Sequence, residues 1–528
     1  MNTMELRVEI NVGEHLRAWE LEAVRLLLAV PGVRVTGWRE SARGETLRSG
    51  WSQRFFRRWE QQVGASGLLA AVPDGLSALR LERIAQGSGL PVDVILLLGG
   101  ARSTASSVGR AWGFRHADGT PAHAVLPMLR EWVQGLAHGR FQFIDAADDA
   151  ALSEMCLPVD GDADECAERA VMTAMRWPAD MARAWIARGA APQGQKPAAC
   201  KPIAIPGILD VLRARMRGRP LTAGESDGAS QGAWNIGVLH QPIHALLDAG
   251  GSRNVRWLPN PSKGMARLEP FGYQDSDREL NVLYRKCGED GTDARIARVR
   301  PKPDNILKRS RAMLDTVPDA GYPYTIQHQG GTHAVINDAG EDRVVLMKVS
   351  DANDALVEPV VLLNMALHAP SLFEHGGRWW LMGTSDPAPN AMLRAFHAQH
   401  AEGPYTEHAC SPLKCDARHA RPAGTPFVHA GQLYRPALDA SDPDHPAVWI
   451  NRIDQLDPQI FLETPVRRID GFAATAYGRG VRTISAMGDV TLVDGLRSPV
   501  LSGSRANAKR GISKHRSKQR TGEDEDDE

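Results

Sequence analysis

The start of the chain alternates between the hydrophobic periods of strands and helices. Residues 6–12 alternate apolar and polar side chains as a half-buried strand does, and residues 19–28 repeat apolar side chains at helical spacing. Residues 33–38 and 91–98 predict two further strands, with helical spacing again at 76–84. A strand–helix–strand order favours parallel pairing with right-handed crossovers. This part of the chain is therefore predicted to be a Rossmann-like α/β domain.

The second half of the chain contains a repeat. Similar segments start at Pro270, Pro323, Pro370 and Gly424, which gives spacings of 53, 47 and 54 residues. The last three segments continue through a glycine turn into an apolar strand, and a four-stranded propeller blade needs about this length. Residues 478–494 can supply a fifth blade or close the ring. An all-β five-bladed propeller is therefore predicted.

The composition changes between and after these two regions. Residues 163–188 predict one or two helices, broken near Pro178 and ended by Gly189. The stretch that follows shifts to Ala, Gln, Lys and Pro, which is typical of a linker. The C-terminal residues form a basic block and then an acidic one, so we expect disorder there. The predicted divisions are an α/β domain with a helical extension, a linker, a propeller and a disordered tail, at residues 1–189, 190–233, 234–496 and 497–528.

Charge and cysteine content limit which cellular compartment and which binding partners are expected. Lysine plus arginine number 62 and aspartate plus glutamate 63 in 528 residues, so the net charge of -1 gives no general attraction to nucleic acid. Six cysteines are too few for a disulfide framework. There is no secretory signal, and no apolar run approaches the roughly 20 residues that span a bilayer. We expect a cytoplasmic protein with no nucleic-acid partner and no transmembrane segment.

Candidate chemistry in the α/β domain follows its third predicted strand. Ligands of parallel sheets bind beyond the carboxyl ends of the strands, where Gly99 and Gly100 lie. The three spaced glycines of a dinucleotide site are absent after the first strand, so NAD is not favoured. His116 and Asp118 are candidates for a general acid/base pair, and Arg115 is a candidate substrate ligand. The alternative is an exposed polar loop.

Residues 6–160 resemble the formyltransferase N-terminal domain found in certain bacterial glycan-pathway proteins. The resemblance is carried by the opening strand and helix, by Asp93-Val94-Ile95-Leu96 and by Trp112-Gly113-Phe114-Arg115-His116. It implies formyl-tetrahydrofolate as the cofactor, and an asparagine followed two residues later by a histidine. Gly113 and Arg115 occupy those two positions here, with the histidine one residue further on. Neither glycine nor arginine can perform the proton transfer and oxyanion polarisation of that family.

Residues 234–495 resemble the propeller domain that precedes the glycosyltransferase in plant glucosamine inositolphosphorylceramide transferases. The best-matching stretches are residues 371–381, 420–424 and 433–437. Bacterial relatives attach the same propeller to the formyltransferase-like domain, which is the order seen here. The resemblance implies a protein that handles sugars or glycolipids.

The inner strands of the propeller hold the candidate catalytic carboxylates. Propellers of the glycosidase type use one carboxyl group as acid and a second as base or nucleophile. The aligned positions here are Glu269, Tyr322, Ala369 and Ala423. The resemblance favours aspartate at the first and third, so Glu269 is a conservative change and Ala369 a loss. Asp439 is the candidate for a second catalytic group, and Asp338 and Asp416 are alternatives.

Two arginines and a tryptophan pair are the candidate substrate ligands of the propeller. Arg421 and Arg435 can grip a phosphate or a carboxylate, and the alternative is salt bridging between blades. Trp380 is a candidate for stacking on a sugar ring. Because a strand alternates its faces, at most one of Trp379 and Trp380 points toward a given pocket. The other is expected to pack in the core.

One group of histidines and cysteines calls for a check as a metal site. His408, Cys410, Cys415 and His419 are residue types that bind zinc. Their spacing fits no common zinc finger, and the surrounding sequence is typical of blade connections. No metal site is therefore predicted.

Three hypotheses about function follow. The first is a transferase of formyl or glycosyl type with a degenerate motif, or an accessory protein, acting in glycoconjugate biosynthesis on a sugar nucleotide or glycolipid precursor. The second is a glycosidase-like or sugar-binding propeller, and the third is a non-catalytic scaffold. A hydrolase requires two carboxyl groups within roughly 10 Å of each other across the channel. A small-molecule sugar or sugar-nucleotide partner is expected.

Overall fold

The computed structural model contains an N-terminal α/β domain and a ring of five β-sheets. It describes residues 4–14, 16–41, 51–72, 75–84, 91–101, 110–196, 200–217, 232–250, 254–301, 311–314, 320–338, 340–473 and 475–498. The predicted tail lies outside these residues except for Arg497 and Ser498, and so does much of the predicted linker. Within the described chain, no helix has the length and apolar character needed to cross a membrane.

A six-stranded sheet with spatial order β2-β1-β3-β4-β5-β6 forms the centre of the N-terminal domain. Its strands are β1 (Leu6–Val12), β2 (Val33–Glu40), β3 (Val94–Leu98), β4 (Ala111–His116), β5 (His138–Asp145) and β6 (Ala150–Pro158). Strands β1 to β4 pair in parallel, as the strand–helix–strand order predicts. Strands β5 and β6 pair antiparallel, because the short turn between them leaves no room for a crossover. The sheet is therefore mixed, which corrects the expectation of a wholly parallel Rossmann-like sheet.

The α-helices of the described chain all precede the propeller. They are α1 (Ala18–Leu28), α2 (Trp51–Val63), α3 (Leu129–Gln134), α4 (Ala163–Ala174), α5 (Trp177–Arg188) and α6 (Ile208–Arg217). The predicted break near Pro178 falls between α4 and α5, since a proline fits the first turn of a helix. Gly189 ends α5 in the left-handed region with a φ of 65°.

The prediction of a helix at residues 76–84 is wrong. The segment begins as the 3₁₀ helix Gly75–Leu79 and then runs extended beside β2. The amide of Ile84 donates to the Trp38 carbonyl at 2.8 Å, and the Trp38 amide donates to the Glu82 carbonyl at 2.9 Å. These bonds to a neighbouring strand replace the intrahelical bonds that the apolar spacing alone suggested.

Five sheets form the blades of the propeller. The first four blades are β9–β12 (Met265–Gln274, Leu280–Gly288, Arg295–Val299, Arg311–Leu314), β13–β16 (Tyr324–His328, Gly331–Asp338, Arg343–Ser350, Ala355–Leu363), β17–β21 (His368–His375, Arg378–Thr384, Met392–Ala398, Thr406–Glu407, Lys414–Cys415) and β22–β25 (Phe427–His429, Gln432–Asp439, Ala447–Leu456, Phe461–Ile469). Each pairs its neighbouring strands antiparallel. The predicted five-bladed propeller is confirmed.

The fifth blade joins the two ends of the propeller. It contains β26 (Ile484–Met487), β27 (Val490–Leu496), β7 (Trp234–Leu239) and β8 (Arg256–Trp257). Strand β27 pairs antiparallel with β7 from Thr491 opposite Leu239 to Leu496 opposite Trp234. This pairing places the first and last strands of the propeller in one sheet and so closes the ring. Residues 478–494 therefore supply the closing strands that the repeat predicts.

The two domains share one apolar core at blades three and four. Ala388, Ala391, Cys415 and Ala417 of the propeller pack into the same buried cluster as β6, α4 and α5. The Ala417 amide also donates to the Cys156 carbonyl of β6 at 2.7 Å. The N-terminal domain is consequently packed directly onto the loops of these two blades.

Candidate functional site at the centre of the propeller

The aligned inner-strand positions share an unusual backbone conformation. Glu269, Tyr322 and Ala369 have φ values of 55°, 50° and 52°. In the fourth blade, Gly424 has a φ of 137° immediately after the aligned Ala423. Positive φ is unfavourable for residues other than glycine, so its recurrence at one register marks a structural equivalence. The repeat alignment made from sequence therefore holds at the backbone.

Glu269 is held at the centre by groups from other blades. Glu269 is only 2% exposed. One carboxylate oxygen accepts a hydrogen bond from the Tyr322 amide at 2.7 Å, and the other accepts from Nε of Arg482 at 3.3 Å. The first bond crosses from blade one to blade two, and the second from blade one to blade five.

Arg421 is brought to the same carboxylate. Its Nη2 lies 3.9 Å from Oε1 of Glu269, and its Nη1 donates to Oδ1 of Asn390 at 2.8 Å. Arg285 lies nearby as well, because a Cβ placed on Gly321 would be 2.9 Å from Arg285 Cδ and 2.9 Å from Glu269 Oε2. Arg421 and Arg482 thus both face the Glu269 carboxylate, and Arg285 lies beside it, so the centre is rich in arginine.

Asp494 is a second carboxylate beside Glu269, but its oxygens are occupied by backbone amides. They accept from the amides of Glu269, Arg482 and Thr483 at 2.9, 2.8 and 2.7 Å. Burial raises the pKa of Asp494 to about 6, against the lowering effect of these hydrogen bonds. Asp494 therefore fixes the backbone of the centre and is not positioned as an acid or base toward a ligand.

Tyr322 completes the centre on the side of blades three and four. Its hydroxyl accepts from the Gly424 amide at 2.7 Å and lies 3.2 Å from the Ser371 hydroxyl. Burial raises the pKa of this phenol, so it stays protonated at neutral pH. The hydroxyl links three blades and supplies polarity without charge.

The other candidate carboxylates each have their own arginine. Asp439 pairs with Arg468 at 3.2 Å. Asp338 pairs with Arg343 at 3.0 Å, and Asp416 with Arg418 at 2.9 Å. None of these three shares a hydrogen bond or ion pair with Glu269 among the contacts of the described chain. The structure therefore does not assemble Glu269 and Asp439 as a directly linked pair.

Arg435 lies away from the centre in a closed network. Its guanidinium pairs with Glu463 at 2.8 Å and donates to the Ala420 and His419 carbonyls at 3.0 and 2.6 Å. Lys414 also contacts Glu463 at 2.6 Å. These partners occupy the guanidinium, so its position supports the alternative of a structural salt bridge.

Trp380 is buried in the propeller core. The residue is 1% exposed, its indole donates to the His375 carbonyl at 3.1 Å, and its ring lies against His397 and His408. This position leaves no exposed ring face for a sugar. Trp379, on the opposite face of the strand, is only partly buried and contacts the His328 ring.

The candidate acid/base pair of the N-terminal domain lies inside the fold. His116 is 1% exposed and contacts the Val125 carbonyl through Nε2 at 3.0 Å. Burial, together with the charge of Arg130, lowers the pKa of His116 to about 4. Asp118 is paired with Arg130 at 2.9 Å and accepts from the Ile203 amide at 3.0 Å. These contacts anchor β4 and the segment before α6, and neither group faces a ligand cleft.

A pocket of about 280 Å³ does lie where the sheet predicts ligands. It is lined by Gly99 and Gly100 after β3 and by Gly113 of β4. Glu20 also lines it, and burial raises the pKa of this carboxyl to about 7. Arg115 is turned to Gln142, whose side chain accepts from its Nε at 3.0 Å. The candidate ligand Arg115 is therefore engaged with β5 and the β5–β6 turn.

The four residues considered as a metal site have separate partners. His408 accepts the Cys410 amide at 2.9 Å, Cys410 contacts the Gln459 carbonyl, and Cys415 packs in the shared apolar core. His419 lies against the Trp449 ring. Within the described ranges, no group of three or more such side chains is arranged to hold a metal ion.

Sequence reasoning missed several residues that surround Glu269. Arg482 and Asp494 come from the fifth blade, Asn390 from a loop of blade three, and Arg285 from β10. A signal existed for Arg482, because it precedes an inner strand as the aligned Tyr322 and Ala423 do. Extending the repeat alignment to the closing blade would have found it.

Comparison with known proteins identifies relatives of the propeller. Residues 308–479 match the family model "Glucosamine inositolphosphorylceramide transferase 1, N-terminal". The protein named glucosamine inositolphosphorylceramide transferase 1 in Oryza sativa subsp. japonica is 25% identical over 203 residues, which cover 35% of this chain and 27% of that protein. The subsp. indica protein of the same name matches with the same identity and coverage. The chain thus spans about a quarter of the length of these relatives.

Solved structures of glycoside hydrolases are also similar. A thermostable family-43 glycoside hydrolase matches 38% of this chain and 75% of its own, with a TM-score of 0.30 and 14% identity. A family 117 glycoside hydrolase of Zobellia galactanivorans matches 46% of this chain and 88% of its own, with a TM-score of 0.32 and 11% identity.

Proposed function

We propose that this chain acts in glycoconjugate biosynthesis, as a transferase or accessory protein, and that its propeller recognises an anionic glycoconjugate headgroup. The observation that carries the proposal is the arginine-rich centre, where Arg421 and Arg482 flank the carboxylate of Glu269. Guanidinium groups that are largely shielded from water bind phosphate through charge-assisted hydrogen bonds. A ligand phosphate can compete with Glu269 for Arg421, whose distance of 3.9 Å is the longer of the two ion pairs.

Binding without hydrolysis is favoured by the lack of a free carboxylate pair. Glycosidic hydrolysis needs an acid and a base or nucleophile on either side of the bond. Two of the aligned inner-strand positions carry alanine, at 369 and 423. Glu269 is bonded to Arg482 and the Tyr322 amide, and Asp494 accepts three amides. For the second candidate function, a glycosidase-like propeller, Glu269 is the only supporting carboxylate among the four aligned positions.

The names of the relatives support a phosphate-bearing ligand. The matching plant proteins are named for inositolphosphorylceramide, a lipid whose headgroup contains a phosphate. We infer that the propeller of this chain takes an inositol phosphate or a chemically similar headgroup. The two-domain arrangement further supports a role in which the headgroup is presented to chemistry outside the propeller.

The propeller proposal is tested by calorimetry on the full chain with myo-inositol 1-phosphate and neutral myo-inositol. We expect the phosphate to bind and Arg421→Met to weaken it by at least tenfold, since one charge-assisted hydrogen bond contributes about 1.5–3 kcal/mol. Arg468→Met, which removes a peripheral ion pair with Asp439, is the matched control and should leave affinity unchanged. Equal binding of both compounds, or an unaffected Arg421→Met variant, would refute the proposal.

For the N-terminal domain we propose a formyltransferase-like fold with altered chemistry. It is supported by four parallel strands and by the pocket at Gly99, Gly100 and Gly113. Calorimetry with folinic acid, a stable formyl-folate, and with UDP-N-acetylglucosamine tests whether this pocket accepts either ligand class. Binding of one that is lost in Gly113→Leu supports a ligand site there. No binding of either compound rules out a transferase role for this domain.

A further inference from the structure

A second cleft lies between the two domains, separate from the propeller centre. Its volume is about 470 Å³, within the range of small-molecule sites. Strand β6 and helix α5 contribute one wall, and the segments 410–419 and 459–465 of the propeller contribute the other. Because both domains supply walls, the cleft exists only in the assembled chain.

The walls of this cleft are held in place by ion pairs that cross or border it. Arg418 of the propeller contacts Glu154 of β6 at 3.0 Å and Asp416 at 2.9 Å. Arg140 of β5 contacts the same Glu154 at 2.6 Å. These fixed charges pre-organise the site, so a ligand does not have to order it.

Basic residues outnumber acidic ones along the lining. Six are basic and four are acidic. The basic residues are Arg140, Arg176, Arg183, Lys196, Lys414 and Arg418. The excess gives the cleft a positive potential that favours an anion.

Two of these cations keep unused hydrogen-bonding capacity. Arg176 donates from Nη1 to the Ser411 carbonyl at 2.5 Å, and its charge opposes the rise that burial causes in the pKa of Asp180. Lys196 is exposed, and the described part of the chain supplies no ion-pair partner for it. A phosphate group can accept hydrogen bonds from both kinds of side chain.

His419 presents a further polar atom in the lining. The residue is 8% exposed, and its Nδ1 has no hydrogen-bond partner within the described structure. Burial lowers the pKa of His419 to about 4, so the ring is neutral at pH 7. The ring lies 5.0 Å from the Trp449 ring, which also lines the cleft. A neutral imidazole beside an indole is suited to the hydroxyls and apolar face of a sugar ring.

We propose that this interdomain cleft binds a phosphorylated sugar, with the phosphate toward Arg176 and Lys196 and the sugar toward His419 and Trp449. Its volume, positive potential and unpartnered buried imidazole all suit that ligand class. This site is independent of the headgroup site proposed at the propeller centre.

The test is calorimetry on the full chain with glucose 6-phosphate, glucose and inorganic phosphate as probes. We expect glucose 6-phosphate to bind and glucose to bind far more weakly. The double variant Arg176→Met/Lys196→Met should lose at least tenfold in affinity for glucose 6-phosphate. His419→Phe should weaken glucose 6-phosphate but not inorganic phosphate. Arg188→Met, a basic change on α5 outside the cleft lining, is the matched control.

The outcomes separate this proposal from the one for the propeller centre. Absence of glucose 6-phosphate binding, or binding unchanged in the double variant, overturns the cleft site. Loss of glucose 6-phosphate binding in Arg421→Met alone would move the ligand to the centre and also overturn it. Loss of myo-inositol 1-phosphate binding in Arg421→Met with intact glucose 6-phosphate binding supports two separate sites. If His419→Phe lowers the melting temperature, the double variant still decides the question, because its residues are less buried.

Discussion

Two buried arginine–glutamate contacts in the propeller look alike in sequence but differ in their surroundings. Arg435 and Glu463 lie within one blade, with Lys414 and two backbone carbonyls completing the network. Arg421 meets Glu269 across the ring, at the longer distance of 3.9 Å, beside Arg482. The first guanidinium lies 2.8 Å from its carboxylate and donates to two carbonyls, whereas the second lies 3.9 Å from a carboxylate that Arg482 approaches more closely, at 3.3 Å. A buried charge therefore indicates a binding site only when its partners leave it exchangeable.

Among the variants that test this difference, replacing Arg435 is expected to have the largest effect on the free energy of unfolding. Replacing Arg435 with Met leaves the buried Glu463 with Lys414 and Asn451 as partners and frees two carbonyls, so we expect a loss of about 3–5 kcal/mol in the free energy of unfolding. Urea denaturation of the full chain measures it. Arg479→Met removes an exposed pair with Asp444 and should change stability by less than about 1 kcal/mol. Equal effects of the two variants would contradict the structural role of Arg435.

The pH dependence of Glu463 gives a second test. Burial alone would raise its pKa, but Arg435 and Lys414 outweigh burial and hold the pKa at about 2. A lowered carboxyl pKa stabilises the fold above the ordinary value near 4.5 and loses that contribution as pH falls toward 2. Relative to Glu463→Gln, the wild type should lose about 2 kcal/mol between pH 5.5 and pH 3. Urea titrations at several pH values measure the difference, and a pH-independent gap would contradict it.

Asp494 at the propeller centre should show the opposite sign. Burial raises its pKa from 3.8 to about 6, so its contribution is present at low pH and lost as pH rises through this range. Relative to Asp494→Asn, the wild type should lose up to about 3 kcal/mol between pH 3.5 and pH 7. The same urea series measures it. A change in the same direction as for Glu463 would show that solvent or a cation reaches Asp494.

The smallest expected effect concerns Gly321, which lies between Arg285 and Glu269. A Cβ there would meet side-chain atoms of both at 2.9 Å, and these flexible groups can shift at a cost of about 1 kcal/mol. Gly321→Ala should therefore lower the melting temperature only slightly but weaken binding of myo-inositol 1-phosphate. Gly250→Ala, which meets no atom within 4 Å, is the control. Unchanged affinity in Gly321→Ala would argue that the ligand does not contact this part of the centre.

The repeat and its register could be predicted from the sequence. Spacings near one blade length placed Glu269, Tyr322 and Ala369 at equivalent positions, and the backbone shows the same positive φ at all three. The apolar pattern likewise located β1 and β3 and the break between α4 and α5. Such features depend on neighbours a few residues apart, whose preferences are recorded in local periodicity.

The roles of the candidate site residues were harder to predict from the sequence. Glu269 and Arg421 meet at the centre, but Arg435 and Trp380 are engaged in the propeller core, and His116 is enclosed in the N-terminal domain. Their residue types suit both binding and structure, and only the identity of their partners separates the two. The roles assigned to these residues stay predictions that the variants above can test.

The sequence by itself determined most of the strands and helices, the five-bladed repeat and the alignment of its inner strands. The tertiary structure decided which charged side chains form pairs. Arg482 reaches Glu269 across 213 residues, and Ala417 bonds to Cys156 of the other domain. The first contact needs the ring to close through β27 and β7, and the second needs the N-terminal domain to pack on the propeller. Local preference specifies the blades, but the closure of the ring and the packing of the N-terminal domain place the charges of the centre and of the cleft.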